Sequence, residues 1–126
     1  MTVSLRFLIA DDNKDAGETL AALLSHERHE VRLVHDGRRA VDMALSWEPD
    51  VVVLDLQMPE MTGLDVQRYL KMVYPSLSLP VVMITAHDEP GSAESCLAAG
   101  VAAYMRKPVE STALVEQVRS LIRTDH

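Results

Sequence analysis

The chain alternates two kinds of apolar segment. Short β-branched and aliphatic runs of four to six residues stand at Leu5–Ala10, Val31–Val34, Val51–Leu54, Val81–Ile84 and Val101–Tyr104. Continuous apolar runs of that length suit strands covered on both faces, as in a parallel sheet. Between them, apolar positions recur at three- and four-residue steps. One stripe is Ala16, Leu20, Leu23 and Leu24; another is Ala40, Val41, Ala44 and Leu45, after Asp36-Gly37. Val66, Tyr69, Leu70 and Val73 form a third, and Leu114, Val118, Leu121 and Ile122 the last. A weaker helical segment runs from about Pro90 to Ala99, with Gly100 placed to stop it. Each stripe predicts a helix whose apolar side faces a sheet.

The order is therefore strand then helix, five times over. Such alternation predicts an α/β domain with a parallel sheet, right-handed crossovers and helices on both faces. Five units in 126 residues fit a flavodoxin-like doubly wound (βα)5 domain, strand order 2-1-3-4-5. The expectation is one domain over residues 1–126, its core at about 5–123, with no effector domain. Ligands of such sheets bind at the carboxyl ends of the strands. The residues just after each run are the ones to read for chemistry.

Composition changes this picture little. Hydrophobic residues make up 48% and charged residues 25%, near the average for a soluble globular chain. Cys96 is the single cysteine, so no intramolecular disulfide can form, which agrees with a reducing, cytoplasmic setting. No apolar stretch approaches the roughly 20 residues of a membrane span, and the N-terminus lacks the pattern of a secretory signal. The formal net charge of -7 weighs against direct nucleic-acid binding. It also raises the idea that some acids gather around a cation. His26, His29, His35 and His126 have no convincing metal spacing and are expected at the solvated surface. The six internal methionines and Cys96 are expected as apolar packing.

The strand ends carry the chemistry. Asp11 and Asp12 follow the first run, Asp55 closes the third, Thr85 and Ala86 follow the fourth, and Lys107-Pro108 follows the fifth. In the expected strand order these side chains converge on one end of the sheet. Each has a plainer reading: an acidic pair suits a helix start, and Asp55 can mark a strand's exit to solvent. Lys107-Pro108 can be a turn, Thr85 a β-branched strand residue and Tyr104 a packing residue. Together they suggest more. Three carboxylates in one cleft repel each other unless a hard cation joins them, and Mg2+ takes oxygen ligands. An aspartate can attack phosphorus to give an acyl phosphate. That step needs in-line placement and neutralisation of the phosphoryl oxygens, which a cation, Lys107 and the Thr85 hydroxyl can provide. Ala86 is small and leaves room.

On these residues, the chain resembles the receiver domain of two-component response regulators. The resemblance rests on Asp11-Asp12, on Asp55-Leu56-Gln57-Met58-Pro59 with Gly63 downstream, on Thr85-Ala86 and on Lys107-Pro108, in order along nearly the whole chain. It implies that Asp55 is the phosphoacceptor. Asp12, Asp55 and the carbonyl of Gln57 would ligate Mg2+, or Mn2+ as a substitute, with Asp11 contributing directly or through water. Thr85, Ala86 and Lys107 would bind the phosphoryl group. Tyr104 would turn as Thr85 moves, changing the face of the fourth helix, fifth strand and fifth helix. The donor would be a sensor histidine kinase or a histidine phosphotransfer protein. The output would be a downstream protein or an effector on the parent chain, with the receiver a monomer or weak dimer. Gln57 and His87 would tune the lifetime of the acyl phosphate. Thr62 stands where the family often has an acid.

Other classes fit less well. An aspartyl-phosphate phosphatase or phosphotransferase commonly has a second Asp where Gln57 stands. A phosphorylation-independent receiver would normally lack one of the site residues. A flavodoxin-like cofactor binder would need a glycine-rich phosphate loop after the first strand. The expectation is a signalling phosphoacceptor, not an enzyme with a separate substrate.

Overall fold

The computed structural model describes residues 4–123. Its strands are β1 (Arg6–Ala10), β2 (Glu30–Val34), β3 (Val51–Asp55), β4 (Val81–Thr85) and β5 (Ala103–Arg106). Its helices are α1 (Lys14–His26), α2 (Gly37–Ser46), α3 (Gly63–Val73), α4 (Ser92–Ala98) and α5 (Ser111–Arg123). All strand pairs are parallel, in the order β2-β1-β3-β4-β5. This is the expected doubly wound arrangement.

Alternation along the strands divides the core in two. Leu8, Ala10, Val52, Leu54, Val81 and Met83 pack with Ala40, Val41 and Ala44 of α2, Val66 and Leu70 of α3, and Cys96 of α4. Phe7, Ile9, Val51, Val53, Val82 and Ile84 pack with Leu20 and Leu24 of α1, and with Leu114, Val115 and Val118 of α5. The central strands β3 and β4 are buried along their whole length, which is why they read as unbroken valine-rich runs.

Several expectations shift in detail. The fifth strand starts two residues later than its apolar run, because the Val101 and Ala102 amides bond to Cys96 and Val81 carbonyls as the chain leaves α4. In α3 the buried positions are Gly63, Val66, Gln67 and Leu70, whereas Tyr69 and Val73 are exposed. Gln67 takes the inward place because its amide donates to the Ala99 carbonyl at 3.1 Å, tying α3 to the end of α4. Leu23 and Met72 also lie at the surface. Two histidines expected in solvent do not lie there. His29 is buried: it accepts the Leu5 N–H on Nδ1 and meets Phe7 edge-on. His35 is half-buried. His126 lies outside the described residues.

Candidate functional site

The candidate side chains stand at or just past the carboxyl ends of four strands. Asp11 and Asp12 follow β1, Asp55 and Thr85 end β3 and β4, and Lys107 follows β5. Register brings them level: Ala10 lies opposite Leu54, Asp55 opposite Ile84, and Thr85 opposite Arg106. The Lys107 amide donates to the Thr85 carbonyl at 2.8 Å, and the Lys107-Pro108 peptide is cis.

Four groups meet at the centre. The Lys107 ammonium donates to Asp11 Oδ2 at 2.8 Å and to Asp55 Oδ2 at 3.0 Å. Asp11, Asp12 and Asp55 each offer an oxygen within 4.8 Å of the others. Asp11 and Asp55 are buried and Asp12 is exposed. The second oxygens of the buried pair are held by the local chain. Asp55 Oδ1 accepts the Gln57 N–H and Asp11 Oδ1 accepts the Asn13 N–H, both at 3.0 Å. The loop beneath Asp55 is closely packed. A Cβ at Gly63 would lie 2.5 Å from the Asp55 carbonyl oxygen and 2.7 Å from Met83 Sδ, so only glycine fits there. Thr62, where the family often has an acid, caps α3 through a capping box with Asp65.

Crowding shows in the electrostatics. Burial, together with the neighbouring Asp11 carboxylate, pushes the Asp55 carboxyl up to about 6, against the pull of Lys107 and the Gln57 amide. Burial alone would lower the Lys107 ammonium; its bonds to Asp11 and Asp55 outweigh that and hold it above its ordinary value. An all-oxygen donor set of three carboxylates matches a hard divalent cation.

Thr85 and Tyr104 are placed differently from the central four. The fully buried Thr85 hydroxyl donates to the His87 carbonyl at 2.8 Å and accepts the His87 N–H at 3.1 Å. Thr85 has the strand parity of Val81 and Met83, on the α4 side of the sheet. Tyr104 packs against the edge of that core, and its hydroxyl donates to Asp88 Oδ1 at 3.2 Å. Ala86 and Gln57 are exposed. Leu56, Gln57, Met58 and Pro59 line a hollow of about 500 Å³ together with Asp12 and Ser92. His87 is exposed and enters the arrangement through its backbone.

The response regulator receiver domain family model matches residues 7–119, nearly the whole of this arrangement. The chain belongs to that family. The response regulator MprA of Mycobacterium tuberculosis is 37% identical to this receiver over 121 residues, covering 96% of the chain and 52% of MprA. The receiver thus spans about half the length of the curated relatives it matches. Among solved structures, the signal receiver domain of the putative response regulator NarL from Mycobacterium tuberculosis matches with a TM-score of 0.80 at 28% identity. The match covers 98% of this chain and 97% of that one. The Francisella response regulator 1452 receiver domain shares the fold, at a TM-score of 0.86 and 23% identity over 98% of this chain and all of that one. Among the described residues, no helix of the receiver is long and apolar enough to cross a membrane.

Two residues near the site escaped the sequence reading. Asp88 gave no signal, being one acid among several in a polar loop. His35 did give one: it follows β2, at the same end of the sheet as the other candidates. Its Nδ1 lies 3.0 Å from the Asp11 carbonyl oxygen.

Proposed function

We propose that this receiver stores a phosphoryl group on Asp55. The observation that carries the reading is the Lys107 ammonium bridging Asp11 and Asp55 at the strand ends, with Asp12 completing a three-carboxylate cluster. A carboxylate oxygen of Asp55 attacks the phosphorus of a phosphohistidine on a sensor histidine kinase or histidine phosphotransfer protein. The new O–P bond forms as the P–N bond breaks, and the freed imidazole takes up a proton. Asp11, Asp12, Asp55 and the Gln57 carbonyl would hold Mg2+, with Mn2+ a workable substitute. The cation supplies charge neutralisation for the carboxylates and the phosphoryl oxygens.

Lys107 then pairs with a phosphoryl oxygen, and Thr85 leaves the His87 backbone to reach another beside the small Ala86. Tyr104 turns inward from Asp88, reshaping the α4-β5-α5 face for a downstream protein or an effector on a longer chain. Exposed Gln57 and His87 flank the acyl phosphate and set its lifetime. The protein is a signalling phosphoacceptor with no separate substrate to turn over, and acts in the cytoplasm as a monomer or weak dimer. Its acidity speaks against a direct nucleic-acid role.

The test is incubation with a small phosphodonor and MgCl2, read by intact mass. The native chain gains one phosphoryl group, chelation with EDTA prevents it, and Asp55→Asn gains none. Equal uptake by native chain and variant overturns the assignment.

A further inference from the structure

Every polar atom of Asp11 has a partner. Its N–H donates to the Val34 carbonyl at 3.1 Å, Oδ1 accepts from the Asn13 amide at 3.0 Å, and Oδ2 accepts from Lys107 at 2.8 Å. The remaining group is the carbonyl, which lies 3.0 Å from His35 Nδ1. A carbonyl can only accept, so His35 must donate from Nδ1. That hydrogen is present in the Nδ1–H tautomer and in the imidazolium alike. The bond therefore does not depend on which of these forms His35 takes. His35 reaches Asp11 from just past the end of β2, the strand whose last residue, Val34, already holds the Asp11 N–H.

We infer that His35 is a positioning residue for the cation site: its Nδ1–H fixes the Asp11 peptide and so aims both carboxylates of the Asp11-Asp12 pair. The inference rests on the magnesium part of the function proposed above. Asp11 and Asp12 sit on a loop, not inside β1, so their direction is set by bonds such as this one. Outer partners of metal-binding residues commonly act in this way. Without His35 the buried Asp11 loses a carbonyl partner, its peptide can rotate, and Asp12 moves with it.

The chemistry supplies its own control. The amide nitrogen of asparagine lies as many bonds from Cα as Nδ1 does, whereas that of glutamine matches Nε2. His35→Asn therefore keeps a donor in place and His35→Gln does not. The experiment is isothermal titration of MgCl2 into the native chain, His35→Ala, His35→Asn and His35→Gln, with thermal melts and amide NMR spectra of each metal-free protein. We expect His35→Ala and His35→Gln to bind magnesium about threefold to tenfold more weakly, and His35→Asn to stay within about twofold of native. The metal-free amide signals of residues 11 to 13 should shift in the first two variants and hold in the third. If His35→Ala does not fold, the Asn and Gln pair decides. Affinities unchanged while melting temperatures fall would make His35 purely structural, and glutamine restoring affinity as well as asparagine would overturn the geometry. A native chain that binds no magnesium removes the functional reading itself and this inference with it.

Discussion

At the residue scale the buried pair of carboxylates governs behaviour. In the metal-free chain Asp55 titrates at about 6, against an ordinary value of 3.8. A raised carboxyl means the folded chain holds a proton more tightly than the unfolded one. The stability it adds is complete below pH 3.8 and is lost as pH rises through about 6. Two units correspond to about 3 kcal/mol, and screening at the solvent-open mouth reduces this to about 1–2 kcal/mol. Asp55→Asn should therefore stabilise the metal-free protein by about that amount at pH 7.5 and by almost nothing at pH 4. Urea melts in EDTA at the two pH values check this, and a variant no more stable than native at pH 7.5 contradicts it. The acids could be read from sequence because they stand where apolar runs end and polarity is conspicuous, and Lys107 because Pro108 marks the turn that follows the fifth run. His35 could be placed at that end of the sheet but its partner could not, and Asp88 gave no sign at all, because their bonds to Asp11 and Tyr104 span 24 and 16 residues and only folding brings those partners together.

At the element scale the site depends on how closely α3 approaches the end of β3. The glycine at its first position lets the helix start against the Asp55 backbone. Gly63→Ala should cost about 2–3 kcal/mol, because its Cβ has only backbone and a buried methionine to meet. The same shift displaces Asp55, so phosphoryl uptake from a small donor should slow at least in parallel. Chemical denaturation and intact mass on one preparation test both, and a variant as stable as native refutes the packing argument. The number and order of elements were legible in the spacing of apolar residues. Their margins were less so. In α3 a buried glutamine replaces one of the expected apolar contacts, because a carbonyl from α4 needs a donor there. A single-chain pattern cannot register that need.

At the scale of the whole molecule, two small hydrogen-bonded arrangements describe the resting form: Thr85 on His87, and Tyr104 on Asp88. If phosphorylation works against both, weakening one should favour the switched form. Asp88→Ala removes the acceptor of one side-chain bond, worth about 1 kcal/mol, or roughly a fivefold change in population. Beryllofluoride, a phosphoryl mimic, should saturate the variant at about one-fifth of the native concentration, followed by amide NMR. An unchanged midpoint would show that the Asp88 contact does not oppose switching. The Lys107 contact has a different consequence. From β5, at the edge of the sheet, it reaches across to residues at the ends of β1 and β3, acting as the cluster's resident counter-ion. A divalent cation entering the cluster would exchange one positive charge for another and release Lys107, just past β5, from the two carboxylates. Lys107→Ala should thus bind magnesium more tightly than the native chain while losing phosphoryl transfer, and titration calorimetry showing weaker binding would refute the exchange. The receiver would sense its cation through the edge of its sheet before any phosphoryl group is present.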